Sequence, residues 1–135
     1  MSDRIMEWLD ESQRLADKAT AGPWEYMTNE TPDGENLYFT IEDSEQESVA
    51  ETNGSYQGRA DAEFIAESRT RLPQAVAALR EVAKLHQPSP YSYPDGSAPC
   101  RECNRSDSTG LAPTWWPCPT LRAVTEALGL EGDEQ

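Results

Sequence analysis

The only histidine of this chain and all three of its cysteines lie after residue 85, in the order His-x13-Cys-x2-Cys-x14-Cys. Zinc in structural sites takes about four ligands in a tetrahedron, and a Cys-x2-Cys pair is a common half of such a site. His86, Cys100, Cys103 and Cys118 would complete one site, with no histidine or cysteine left over. The spacing therefore predicts a structural Zn²⁺ that holds the proline-rich segment between His86 and Cys118.

Two other interpretations of the same residues stay open. Cys118 can be a small buried apolar residue, and His86 can be a helix-end histidine that complements the helix dipole. The string "PCREC" matches half of the zinc deaminase motif, but the His-x-Glu half is absent and the only histidine occurs in "HQP". A closed set of four ligands also leaves no position for a catalytic water, so the sequence favours a structural role.

The charge balance limits the partners of the chain. Its 11 basic and 25 acidic residues give a net charge of −14, which repels nucleic acid and anionic membranes. Only 36% of the residues are apolar, so the predicted core is small and would be stabilised by a cross-link such as a structural metal. We expect no membrane span and no signal peptide, because the first residues are acidic and no apolar run is long enough. The expected location is a reducing cytoplasm, where clustered cysteines favour metal over disulfides.

The first half of the chain predicts a helix followed by a small antiparallel sheet. "SDRIMEWLDESQRLADKAT" has apolar residues at helical spacing, and "AGPW" ends it, with Gly22 expected as a left-handed cap. The period then changes to two in "WEYMT" and "LYFTIE", with a weaker third strand around Val49. In the second strand, Leu37, Phe39 and Ile41 are expected to face the core.

The second half predicts a long helical segment and a short final helix. "RADAEFIAESRTRLPQAVAALREVAKLH" carries one apolar stripe, in which Phe64 and Leu72 are expected to be buried and Asp61 to lie in the first turn. Pro73 predicts a kink or a pair of helices, because proline lacks an N–H and clashes with the preceding turn. The last helix is expected from about Pro119 to Leu128.

Acidic residues are concentrated in the predicted sheet. No lysine or arginine occurs between Lys18 and Arg59, a stretch that contains nine acids. This pattern fits solubility, a docking face for a basic protein or an imitation of DNA phosphates. The predicted partner-binding residues are four acids and two tryptophans beside the last cysteine: Glu42, Asp43, Glu45, Glu47, Trp115 and Trp116.

Two segments of the chain resemble the Ead-like family of phage early-region proteins. The first is "LADKATAGPWEY" and the second is "DAEFIAESRTRLPQAVAALREV". The positions that fit are Thr20, Gly22, Pro23, Trp24, Asp61, Phe64, Ile65, Ala66 and Pro73. The His/Cys tail is similar to versions from actinobacterial phages. The resemblance implies an accessory protein that acts in the infected bacterium, and it supplies no catalytic residue.

The sequence as a whole predicts an α+β fold. Residues 1–87 form the expected core, 88–130 a zinc-binding loop with the final helix on the same domain, and 131–135 a disordered tail. The predicted function is non-enzymatic, namely binding and modulating a host protein with a basic surface. The alternative is a binder of a small nucleotide signal, for which the helical segment carrying Arg69, Arg71 and Arg80 is the candidate; a zinc-dependent enzyme is less favoured.

Overall fold

The computed structural model describes residues 2–104 and 113–131. Within these ranges the elements are, in chain order, α1 (Ser2–Lys18), β1 (Glu25–Glu30), β2 (Leu37–Glu42), β3 (Ser48–Asn53), α2 (Tyr56–Leu85) and α3 (Pro119–Ala127). The three strands form one antiparallel sheet in the order β1-β2-β3. The predicted α+β class and the three-stranded sheet are confirmed. Across the described ranges, no helix combines the length and apolar character needed to cross a bilayer.

The chain divides into two compact units. One contains Met1–Glu11 and Ala77–Gln135, and the other contains Ser12–Val76. The sequence-based division at residue 87 groups the residues differently and stays a prediction. The predicted tail at 131–135 lies outside the described residues except for Glu131, which is exposed.

The unit formed by Ser12–Val76 is built on the sheet. Phe39 and Ile41 of β2 pack with Ala62 and Ala66 of α2. Trp24, Tyr26, Val49, Ala50 and Ile65 surround this cluster as partly buried neighbours. The third predicted core residue of β2 differs, because Leu37 is the first residue of the strand and is 49% exposed.

The orientation of α2 departs from the prediction. Phe64 is 74% exposed and Leu72 is also exposed, although both were predicted to be buried. The sheet-facing positions of α2 are the small residues Ala62 and Ala66, which allow a close approach. Each residue turns a helix by about 100°, so Phe64 lies roughly 200° from Ala62, on the opposite side of α2.

Pro73 does not divide α2. The helix is continuous over 30 residues with Pro73 inside it, so the predicted pair of helices is not observed, while the alternative of a kink stays a prediction. A proline removes one hydrogen bond, and the many other bonds of so long a helix remain. The helix also begins earlier than expected, at Tyr56, so Asp61 lies beyond its first turn.

The "AGPW" segment is held by one carbonyl. The oxygen of Thr20 accepts hydrogen bonds from Trp24 Nε1 at 3.0 Å and from Arg69 Nε at 2.9 Å, and the Arg69 guanidinium lies 5.8 Å from the Trp24 ring centroid. Gly22 is not in the left-handed region expected for it. Its lack of a side chain serves close approach, since a Cβ there would lie 2.9 Å from Arg69 Cγ.

The other unit buries the first part of α1 and one face of α3. Ile5, Leu9 and Leu121 are fully buried. Arg80 pairs with Asp10 at 2.9 Å, and Arg4 donates to the carbonyl of Leu130 at 2.5 Å. This unit also contains the histidine and the cysteines.

Candidate metal centre

His86 directly follows the last residue of α2. Its N–H donates to Val82 O at 3.2 Å, which extends the helical pattern by one residue. Its own carbonyl accepts a hydrogen bond from Trp116 Nε1 at 2.9 Å. The backbone of His86 is therefore fixed on both sides, which limits where its imidazole can point.

The proline-rich segment is held by backbone pairing near its ends. Pro88 forms an antiparallel bridge with Cys100, and Pro99 forms one with Trp115. The N–H of Cys100 donates to Thr114 O at 2.8 Å, and the N–H of Arg101 donates to Gln87 O at 2.8 Å. Prolines can lie in this segment because the N–H groups of their neighbours make the bonds. The pairing places Cys100 beside the end of α2.

Cys103 and Cys118 reach the same place from a turn and from a helix start. Cys103 lies in a turn in which Asn104 N–H donates to Cys100 O at 3.0 Å. Cys118 is the N-cap residue of α3, with extended backbone angles of φ −75° and ψ 167°. Pro119 follows as the first helical residue, where its fixed φ suits a helix start.

The four predicted ligands converge on one point. His86 Nδ1 lies 3.5 Å from Cys100 Sγ, 3.5 Å from Cys103 Sγ and 3.4 Å from Cys118 Sγ. All four ligand atoms lie within 4.8 Å of one another. One imidazole nitrogen can donate or accept only one hydrogen bond, so hydrogen bonding alone does not explain three sulfurs around it.

The nitrogen–sulfur distances fit a tetrahedral metal site. Zinc binds histidine nitrogen at about 2.0–2.1 Å and cysteine sulfur at about 2.3 Å, so a tetrahedral angle puts nitrogen and sulfur roughly 3.5–3.6 Å apart. The three nitrogen–sulfur distances of 3.4–3.5 Å match this edge length. The cluster can hold a metal ion such as zinc with four protein ligands.

The thiols interact strongly without a cation between them. Desolvation of the Cys103 sulfur and its contacts with the thiols of Cys118 and Cys100 raise its pKa from 9.0 to about 12. Burial acts to raise the pKa of Cys118, but the backbone N–H of Leu121, with help from the neighbouring thiols, lowers it overall. The start of α3 therefore favours the Cys118 thiolate.

The predicted acidic docking residues are not equivalent. Glu42 is half-buried and its carboxylate accepts a hydrogen bond from Thr40 Oγ1 at 3.3 Å. Asp43 Oδ1 accepts the N–H groups of Glu45 and Glu47, each at 2.9 Å, so it shapes the turn after β2. Glu45 and Glu47 are exposed. Whether this turn binds a partner stays a prediction.

The two tryptophans before Cys118 also differ. Trp116 is half-buried and holds His86 through its indole N–H. Trp115 is 43% exposed and packs edge-to-face against Tyr93, with ring centroids 5.2 Å apart. Of the two, Trp115 is therefore the more accessible to a partner, and Tyr93 is a neighbour that the sequence analysis did not identify.

The three arginines suggested for a nucleotide all have partners within the chain. Arg69 bonds to the carbonyl of Thr20. Arg71 pairs with Glu67 at 3.1 Å, and Arg80 pairs with Asp10. A phosphate site needs several donors aimed at one position, and the contacts of these three side chains show no such convergence.

Sequence analysis missed one surface feature, the ridge formed by Phe64, Ser68 and Leu72 on the exposed side of α2. The sequence signal for it was the pair Ala62 and Ala66, whose small side chains can occupy the buried side of α2 in place of Phe64.

Comparisons with protein-family models, with curated proteins and with solved structures find no match to this chain.

Proposed function

We propose that the chain is a non-enzymatic binding protein whose segment from His86 to Cys118 is held by one structural Zn²⁺. The observation that carries this proposal is the approach of three cysteine sulfurs to His86 Nδ1 at distances typical of a tetrahedral site. With all four positions occupied by protein atoms, such a zinc has no place for a reacting water. Its role is to order the segment.

Metal analysis tests the site. Protein purified without chelator should contain about one zinc per chain, and cobalt in its place should give the intense visible absorption of a tetrahedral thiolate site. Cys103→Ser should lose most of the metal. Arg101→Gln changes an exposed side chain inside the same Cys-x2-Cys pair and should retain it. Metal-free protein, or equal metal content in both variants, would refute the zinc site.

Chelation tests the structural role. Zinc binding contributes on the order of 10 kcal/mol to the folding of zinc-finger peptides. Removing it should increase amide hydrogen exchange between Gln87 and Asn104, while exchange in β1, β2 and β3 changes little. Loss of zinc with no change in exchange around the cluster would show that the metal does not hold this segment.

For the biological role, we infer binding to a host protein with a basic surface, within the phage accessory function that the resemblance implies. The support is the absence of any lysine or arginine between Lys18 and Arg59 and the exposure of Glu45 and Glu47 in the turn after β2. Opposite charge speeds association and makes it sensitive to salt. Asp43 is left out of the test because it shapes the turn.

A matched pair of charge reversals separates docking from net charge. Glu45→Lys with Glu47→Lys should reduce partner recovery from host lysate and weaken its salt dependence. Glu30→Lys with Glu51→Lys changes the net charge equally at other exposed positions of the sheet and should have a smaller effect. Equal losses would indicate a nonspecific charge effect. No loss in either variant would move attention to Trp115.

A further inference from the structure

The exposed side of α2 carries an apolar ridge with a groove on each flank. The ridge consists of Phe64, Ser68 and Leu72, which follow one another at intervals of four residues and therefore share a face. Phe64 is 74% exposed and Leu72 49% exposed. One groove, of about 300 Å³, lies between this ridge and the end of α1, and its lining includes Leu15 and Trp24. The other, of about 430 Å³, lies on the opposite flank and reaches Ala75.

A ridge bordered by grooves on one surface fits a second copy of the same surface. A two-fold interface brings the same patch from both subunits together, so every protrusion needs a matching depression within that patch. Here the two large side chains lie four residues before and four residues after Ser68. If two α2 helices cross antiparallel at Ser68, Phe64 of each copy meets Leu72 of the other. Ser68 is small, and its hydroxyl is satisfied within the helix by Phe64 O at 2.6 Å.

The net charge along α2 changes sign at the same residue. Before Ser68 the helix carries Arg59 but also three acids, Asp61, Glu63 and Glu67, and directly after it come Arg69 and Arg71. An antiparallel second copy places the acidic half of one helix against the basic half of the other. This complementarity holds although each chain carries a net charge of −14. Long-range repulsion between the copies is screened beyond about 8 Å at physiological salt, whereas contacts at the interface are shorter.

One pair of charges fits this arrangement in detail. In the antiparallel pair, residues before Ser68 in one copy lie beside residues after Ser68 in the other. Because helix residues rise about 1.5 Å each, Glu67 of one copy and Arg71 of the other lie on the same side of the two-fold axis, roughly 3 Å apart along the helix direction. Glu67 and Arg71 also flank the same groove. Within one chain they pair at 3.1 Å while remaining largely exposed, with side-chain exposures of 60% and 78%. They are therefore accessible to exchange partners between copies.

We propose that the chain forms a two-fold homodimer through α2, with Phe64 and Leu72 as reciprocal apolar contacts and Glu67 and Arg71 as reciprocal ion pairs. The dimer covers the largest exposed apolar side chains of α2 near Ser68. It also explains why this helix carries a phenylalanine directed away from the sheet.

Sedimentation of the full chain, loaded with zinc, tests the proposal over micromolar to millimolar concentrations. The wild-type chain should show a concentration-dependent dimer. F64A and L72A should each weaken the dimer at least tenfold. Y56A removes an aromatic residue that is 96% exposed on the same helix but outside the ridge, and it should leave the dimer unchanged. Circular dichroism verifies that each variant is folded.

Charge exchange provides the second arm. E67R places two arginines at the contact and R71E places two glutamates there, so each single reversal should weaken the dimer about tenfold or more. The double variant E67R/R71E restores opposite charges across the axis and should recover most of the affinity. A wild-type chain that stays monomeric at all concentrations overturns the proposal, whether or not the grooves bind an apolar ligand or another protein. A dimer that is insensitive to F64A and to both single reversals overturns it equally.

Discussion

The two phenylalanines of the chain should differ clearly in their contributions to stability. Phe39 is 5% exposed and packs with α2, whereas Phe64 is 74% exposed. Replacing a buried phenylalanine by alanine costs about 3–5 kcal/mol, a large part of a typical total of about 5–15 kcal/mol. Full burial of a phenylalanine is worth about 1.5–3 kcal/mol, and Phe64 has only about a quarter of its surface buried. Phe64→Ala should therefore cost about 0.4–0.8 kcal/mol.

Urea unfolding followed by circular dichroism measures both costs. The protein should be dilute enough to be monomeric, so that loss of self-association does not add to the effect of Phe64→Ala. Tyr56→Ala serves as a control for removing an exposed aromatic residue from α2. If Phe64→Ala costs more than about 2 kcal/mol, or as much as Phe39→Ala, then Phe64 does not lie on the exposed side of α2.

Three further predictions concern the metal, the turn after β2 and the proline in α2. A thiol that is protonated must lose its proton to bind metal, and without a metal ion the pKa of Cys103 is about 12. Zinc affinity, measured by competition with a chelator, should therefore fall on acidification by about tenfold per pH unit for each proton displaced. Asp43→Ala removes the acceptor of two backbone N–H groups and should cost about 1 kcal/mol in thermal unfolding, whereas Glu45→Ala should stay within about 0.5 kcal/mol. Pro73→Ala restores an N–H donor inside α2 and should raise stability by up to about 3 kcal/mol; a lower melting temperature would contradict this.

The sheet and the ligand cluster were predictable for different reasons. In β2 the alternation of "LYFTIE" places Phe39 and Ile41 on one face, and both are buried. The ligand cluster followed from chemistry, because the chain has three cysteines and one histidine in total and a structural zinc takes about four such ligands. Neither inference required knowledge of how the elements pack.

The predictions that were wrong or incomplete concern which side chains are buried and which residues shape a turn. The periodicity of α2 identifies an apolar stripe but does not choose between Phe64 and the alanines on either side of it. Close packing against the sheet favours the small side chains of Ala62 and Ala66. Similarly, the sequence gives Glu42, Asp43, Glu45 and Glu47 equal charge, and only the geometry of the turn distinguishes Asp43 as a structural residue.

Because the cluster contains every cysteine of the chain, its metal chemistry and its redox chemistry cannot be separated. A two-electron oxidation that joins two of the sulfurs as a disulfide removes two ligands at once, and a zinc ion held there would be released. The third cysteine then has no partner within its own chain. An oxidised molecule would thus carry one unpaired thiol available for a mixed disulfide, which makes covalent cross-linking between chains the expected mark of oxidative damage.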